Sequence, residues 1–382
     1  ALRVLATFSI PVLSDDYFRF LWDGQLLLEG VNPFTILPSS LAQDPGRLIE
    51  LGLSEEWFAS LNSPDYFTIY PPVLQAIFMM GASMGSLEAG VILMKLIVLI
   101  GEIVSLLLLR KILAETGKKQ AAILWYALNP LVIVELCGSL HFEALMITFI
   151  VAALWFFIRN KELVSAIFLG LSISTKLLPL IFLPFLLKQI GFWRSLRYGL
   201  VAGAVTLLLF SPLLTEDMLN GFQESLTLYV NRFEFNAGLW YFVRAIGFDI
   251  TGWNPIREIG PFFTPIAAAF ILFIALLEWR PARIEWAKSM MYALTIYFFF
   301  SLIVHPWYIT TLIALAVLTE KRYALLWSCW LPWTYLAYQF DPVAESMWLI
   351  GLEYSSVILM LIIENIATSK QVGEKEFPPV VS

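Results

Sequence analysis

The stretch AGVILMKLIVLIGEIVSLLLL, residues 89–109, decides the fold. It reaches the roughly 20 residues that a membrane-spanning helix needs. It contains no proline and only two charged residues, Lys95 and Glu102. These are seven apart, which places them on one helical face, so they are expected to pair with other buried groups and not to do chemistry.

Similar runs recur near 1–13, 120–138, 142–158, 163–175, 177–187, 196–214, 260–278, 287–304, 307–319, 323–340 and 346–366. Hydrophobic residues make up 59% of the 382-residue chain and charged residues 14%, with a mean hydropathy of +0.77. A backbone in contact with lipid must satisfy its own polar groups. The sequence therefore predicts an all-α polytopic membrane protein. The expected form is one domain over 1–382 with about twelve spanning helices. The first of these, opening at Ala1, is expected to lack its start. The net charge of −6 says little, because orientation follows the placement of Lys and Arg. Cys137 and Cys329 lie in apolar runs and read as small core residues without a disulfide framework.

Threading the runs alternately sorts the basic residues. Loops near 110–119, 159–161, 188–197, 280–288 and 321–322 and the tail 368–382 take 16 of the 24 Lys and Arg. The opposite side takes Arg19, Arg47, Arg232, Arg244 and Arg257. The richer side is expected to be cytoplasmic. This sorting requires YPPVLQAIFMMGASMG, 70–85, to form a surface helix, for which Pro71 and Pro72 suit a start. Two long extracytoplasmic loops follow, 14–88 and 215–259. Both carry aromatics: Trp57, Phe58, Tyr66, Phe67 and Tyr70 in the first, Tyr229, Phe233, Phe235, Trp240, Tyr241 and Phe242 in the second. They suit either an interfacial belt or a platform for a sugar or lipid tail.

Ionisable residues gather at the outer ends of the runs. Asp15 and Asp16 end the first, His141 and Glu143 lie in SLHFEA, Lys176 in SISTKLLP and His305 in LIVHPWY. The two runs flanking Lys176 are too short to cross as straight helices, so Lys176 is expected on a broken hairpin. Each residue has a bland reading: helix capping for the aspartates, snorkelling for Lys176, a turn for His305, loop ordering for Asp23. Convergence on one face is the stronger signal, because charges at membrane depth usually face a cavity. Metal-ligand spacings and a glycine-rich phosphate loop are absent from the sequence. A carboxylate can deprotonate a hydroxyl, and cations can hold a departing phosphate. That combination suits group transfer from a phosphate-bearing lipid.

In this order, the aspartates after the first run, Tyr70-Pro71-Pro72, His141-Phe142-Glu143, the element around Lys176 and Val304-His305 resemble the GT-C membrane glycosyltransferases. The similarity spans roughly residues 14–320. It is nearest to polyprenyl-phosphate-sugar-dependent enzymes: the endoplasmic-reticulum glucosyltransferases of lipid-linked oligosaccharide assembly and the GPI-anchor mannosyltransferase I group. DDYFRFLWDGQLLLEGVNPF also resembles the opening loop of bacterial mannosyltransferases. The resemblance implies an inverting transfer of a sugar, with mannose expected, from a polyprenyl phosphate to an acceptor hydroxyl. The active site would face the periplasm from a bacterial inner membrane. It implies Asp16 as base with Asp15 as rival, and Lys176 and His305 on the donor phosphate. His141 and Glu143 would line the substrate pocket, completed by Tyr70, Arg232, Trp307 and Tyr308. Two features depart from the pattern: the aspartates are adjacent, and Pro306-Trp307-Tyr308 follows His305. No cofactor or metal is expected beyond a possible loop-bound divalent cation. Expected partners are the polyprenyl-phosphate sugar, a glycan, glycolipid or protein acceptor, membrane lipids and a membrane protein complex, but no nucleic acid. The competing readings are a transporter or flippase for a lipid-linked sugar, which would call for internal repeats, and a catalytically silent membrane subunit.

Overall fold

A computed structural model describes residues 1–277, 282–340 and 342–376. Arg280, residues 377–382 of the expected tail, and the side chains of Tyr229, Lys370 and Lys375 lie outside the described residues. The fold is helical, and no β-strand occurs among the described residues; a single parallel bridge joins Phe235 to Ile303. Three helices are long and apolar enough to cross a membrane: Leu87–Glu115, Ile256–Leu277 and Met347–Ala367. A fourth crossing results if Gln120–Ala127 and Pro130–Gly138, bent by 53°, count as one. The other apolar runs form shorter or broken helices, such as Glu143–Ile158, Glu162–Ile173 and Pro306–Thr319. The opening run gives only the helix Leu2–Thr7. The spanning-length helices expose Ile100, Leu107, Phe262, Phe273, Leu352 and Ile362, an outward apolar surface suited to lipid. All ten residues of Thr310–Thr319 are buried, the pattern of a helix at the centre of a bundle.

The stretch 89–109 behaves as its composition requires. Lys95 Nζ donates to the carbonyls of Ala6, at 3.0 Å, and Ser9. Glu102 accepts from Arg3 Nε at 2.9 Å and from the Tyr126 hydroxyl. The two charges thus tie down the N-terminal segment. Cys137 is buried, but Cys329 is exposed, against the expectation of a core residue: its helix, Tyr323–Trp330, turns Tyr323, Ala324 and Trp327 inward instead.

The segment 14–88 folds into short helices. Asp16–Leu28 packs on Pro72–Ala82, the helix expected at 70–85. Their approach is so close at Gly24 that a Cβ there would lie 2.1 Å from the Phe78 carbonyl oxygen. Phe20 stacks on Phe78 at 4.6 Å, and both rings meet Phe142 edge-on at about 5.4–5.5 Å. This aromatic joint fixes the Asp16–Leu28 helix against the HFE tripeptide. On its other face Trp22 and Leu26 form a small separate core with Leu41, Leu48 and Leu51. Asp23 has the ordering role expected of it: it accepts from Arg19 Nε at 2.8 Å, and Arg19 also binds the carbonyls of Ser63 and Tyr66.

Candidate active site

Asp16 opens its helix, with Asp15 at the N-cap position. Neither side chain caps the helix; the backbone N–H of Asp16 instead donates to Ser14 Oγ at 3.3 Å. The bland reading of the pair thus loses its hydrogen bond. Asp15 is exposed and Asp16 half-buried. Asn62 Nδ2 donates to Asp16 Oδ1 at 2.8 Å. Burial, then Glu135, Tyr338 and Asp16 raise the Tyr335 phenol, and burial, then Glu345 and Asp16 raise Tyr338. Asp16 therefore sits within charge reach of both tyrosines.

The next group arises from a local irregularity. Ile133–Gly138 is a π-helical turn, and Leu140 adopts a left-handed φ of 62°. Such turns are rare and often mark functional sites. Here the extra residue brings Glu135 beneath His141. His141 Nδ1 donates to the Glu135 carbonyl at 3.0 Å, and Glu135 Oε2 lies 3.3 Å from the same nitrogen without accepting from it. A proton on Nδ1 leaves Nε2 as an acceptor. Glu135 Oε1 accepts from the Tyr335 hydroxyl at 2.8 Å.

Trp307 is sandwiched between the two histidines, 3.8 Å from the His141 ring and 4.3 Å from His305. Tyr308 meets His305 edge-on at 5.5 Å, and Lys176 Nζ stands 4.3 Å over the Tyr308 ring. Lys176 pairs with Glu143. It lies between the helix Glu162–Ile173 and the 3-10 segment Leu178–Phe185, where Pro179 and Pro184 prevent a continuous α-helix. The sequence reading anticipated this interruption. His305 is enclosed by these rings. Burial, then the charges of His141 and Lys176, push its pKa down to about 3. At neutral pH it is a neutral imidazole, not a second cation. Three buried polar atoms around Trp307 lack a hydrogen-bond partner among the described residues: Glu135 Oε2, His141 Nε2 and His305 Nδ1. Buried polar groups are rarely left so.

Asp16, His141, Glu143, Lys176, His305, Trp307 and Tyr308 thus converge. Tyr70 packs its ring on Phe20 and Phe78, in the aromatic joint. Arg232 is exposed at the end of the helix Glu216–Arg232, and no described contact joins it to the cluster. Glu135, Tyr335 and Tyr338 were missed as site residues. A lone carboxylate in the apolar run 120–138 was a usable signal for Glu135. Phe235, expected only as one of the loop aromatics, packs 5.0 Å from His305 and 5.7 Å from Tyr338. Its backbone pairs with Leu302 and Val304.

Residues 5–190, just under half of the chain, match the family described as alpha-(1->6)-mannopyranosyltransferase, N-terminal domain. The chain is 27% identical over 210 residues to alpha-(1->6)-mannopyranosyltransferase A of Mycobacterium tuberculosis, covering 53% of the chain and 39% of that relative. It is 27% identical over 188 residues to the protein of the same name from Corynebacterium glutamicum, covering 48% of the chain and 36% of the relative. The matches thus span under two fifths of these relatives' own length. The chain is thus similar over its first half to mannosyltransferases, and its apolar helices mark it as a membrane protein. The matched region supplies Asp16, Glu135, His141, Glu143 and Lys176; the tyrosines, His305 and Trp307 come from beyond it.

Proposed function

We propose that the protein transfers a mannosyl unit from a polyprenyl-phosphate donor to an acceptor hydroxyl on the extracytoplasmic face, with inversion at the anomeric carbon. It does so within a bundle of about twelve membrane crossings, several of them short or broken. The observation that carries the reading is the placement of Asp16. It is a half-buried carboxylate, fixed by Asn62, beside a buried cluster with three unpaired polar atoms and one lysine. In the proposed step Asp16 takes the proton of the acceptor hydroxyl. The freed oxygen pair attacks the anomeric carbon, and the bond from that carbon to the phosphate oxygen breaks. The departing phosphate gains a negative charge, which Lys176 neutralises, sharing its ammonium with Glu143. His305 serves as a neutral hydrogen-bonding group. Each role is filled by a protein group, so the reading needs no resident cofactor. A transporter has less support, because the sequence shows no paired repeats.

The test is transfer of labelled mannose from a polyprenyl phosphate by the purified protein. Asp16→Asn keeps the shape and the Asn62 contact but cannot accept a proton. It should lower turnover by about 10²–10⁴-fold at unchanged thermal stability. Near-normal turnover in Asp16→Asn would overturn the assignment, and an inactive wild type supplied with this donor would overturn the function.

A further inference from the structure

The 3-10 segment Leu331–Gln339 has two working faces. Three residues make one turn, so residues three apart line up. Tyr335 and Tyr338 form the row towards Asp16 and Glu135. Trp333, Leu336 and Gln339 form another, which lines a cleft of about 470 Å³ against the start of the helix Met347–Glu376. The facing wall presents Glu345, Ser346 and Glu353. The cleft lies wholly outside residues 5–190. It is separated from the active site by one layer: Tyr338 feels the charges of both Glu345 and Asp16.

We propose that this cleft is a glycan subsite, holding a further sugar residue of the acceptor next to the one that reacts. The proposal rests on the mannosyltransferase reading and deepens it. Aromatic faces cover the C–H side of a sugar ring, while carboxylate and amide oxygens accept its hydroxyls. Trp333 and Gln339 with Glu345 supply that mixture. The carboxylates are fixed in advance. Glu353 accepts from Asn236 Nδ2 at 2.9 Å and Trp327 Nε1 at 2.7 Å, and Glu345 from the Asn236 backbone N–H at 2.7 Å and the Tyr241 hydroxyl. Asn236 is fully buried, and its Oδ1 has no partner among the described residues. No Lys, Arg or His lines the cleft, so two carboxylates there disfavour a phosphate. A prenyl tail would desolvate the polar groups of Gln339, Glu345 and Ser346 without return. A neutral, hydroxyl-rich ring meets neither penalty.

The experiment uses the whole purified protein and two probes, methyl α-mannoside and a linear mannotetraoside, with binding read by ligand-observed NMR. The tetraoside should bind about tenfold more tightly, the scale of one added aromatic contact. Trp333→Ala and Gln339→Ala should each erase most of that advantage and leave methyl α-mannoside binding unchanged. Trp348→Ala, an exposed tryptophan on the neighbouring helix that does not line the cleft, should keep it. Equal binding of the two probes by wild type overturns the proposal. So does an advantage that survives both variants, or a short polyprenyl phosphate that competes with the tetraoside at the Trp333-dependent site, which would make the cleft a lipid-tail site. Transfer to methyl α-mannoside, measured in parallel, reports on the mannosyltransferase reading alone: wild type that transfers but gains nothing from the tetraoside loses only the subsite.

Discussion

Two buried groups of ionisable residues share almost the same ingredients. One joins Lys95, Glu102, Arg3 and Tyr126; the other joins Lys176, Glu143, His141 and Glu135. In the first, the lysine ends on backbone carbonyls, and each Glu102 oxygen has a donor. In the second, Glu135 Oε2, His141 Nε2 and His305 Nδ1 are left over. A charge in an apolar bundle is expensive either way. Complete satisfaction turns it into a structural tie, whereas incomplete satisfaction leaves polar capacity for a substrate. Residue type alone does not separate the two cases.

The contrast is tested hardest on the structural side. Glu102→Ala removes the counter-charge of Arg3, leaving it only the carbonyls of Tyr126 and Ala127, and unpairs the Tyr126 hydroxyl; removing one member of a buried pair costs about 3–5 kcal/mol. The thermal midpoint of the purified variant should fall steeply, while transfer per folded molecule stays at the wild-type level. A variant that is stable but inactive would move the first cluster into the mechanism and erase the distinction. On the functional side, Lys176→Ala should lower transfer by about 10²–10³-fold, the usual loss for one preorganised charge-stabilising donor. Its thermal midpoint should change far less than that of Glu102→Ala, because Lys176 is partly exposed. The reverse pattern would make the Lys176–Glu143 pair a second structural tie.

Glu135→Gln sharpens the comparison at an intermediate scale. Gln can still accept from Tyr335 but loses the charge beside His141. Turnover should fall roughly tenfold, the low end of what acid–base positioning contributes, with a shifted pH profile and an unchanged donor KM. Loss of donor affinity alone would assign Glu135 to binding and not to orienting His141.

These results also show what the sequence made legible. The run 89–109 gave the membrane character and the structural role of Lys95 and Glu102, because length and apolarity are local properties. The segment around Lys176 was readable for the same reason: the two apolar runs flanking it are too short to cross as straight helices. Asp16, His141 and His305 were singled out individually, but their meeting was not derivable from spacing. It depends on the Phe20–Phe78–Phe142 joint and on the bridge from Phe235 to Ile303, both long-range contacts. Tyr335 was hidden because its run reads as one apolar segment. Only the 3-10 geometry of Leu331–Gln339 separates its faces. The ionisation of His305 was not legible, because burial is invisible in a tripeptide and burial is the main cause of its shift.

The most gradual expected effect, spread over several pH units, follows from that ionisation. In the folded protein His305 titrates near pH 3, while an unfolded chain holds the proton below about pH 6.5. Between these values the unfolded state binds the extra proton, so stability falls as pH is lowered from about 6.5 towards 3 and is fully present above that window. The slope can reach about 1.4 kcal/mol per pH unit for one proton. His305→Asn removes the titrating group and should flatten the fall. The thermal midpoints of wild type and variant, compared at several pH values from 7 to 4, give the difference free of the carboxylates common to both. Superimposable curves would mean that the imidazole gains its proton inside the fold. His305 could then act as a cation beside Lys176, and the second cluster would hold the two positive charges that the sequence alone suggested.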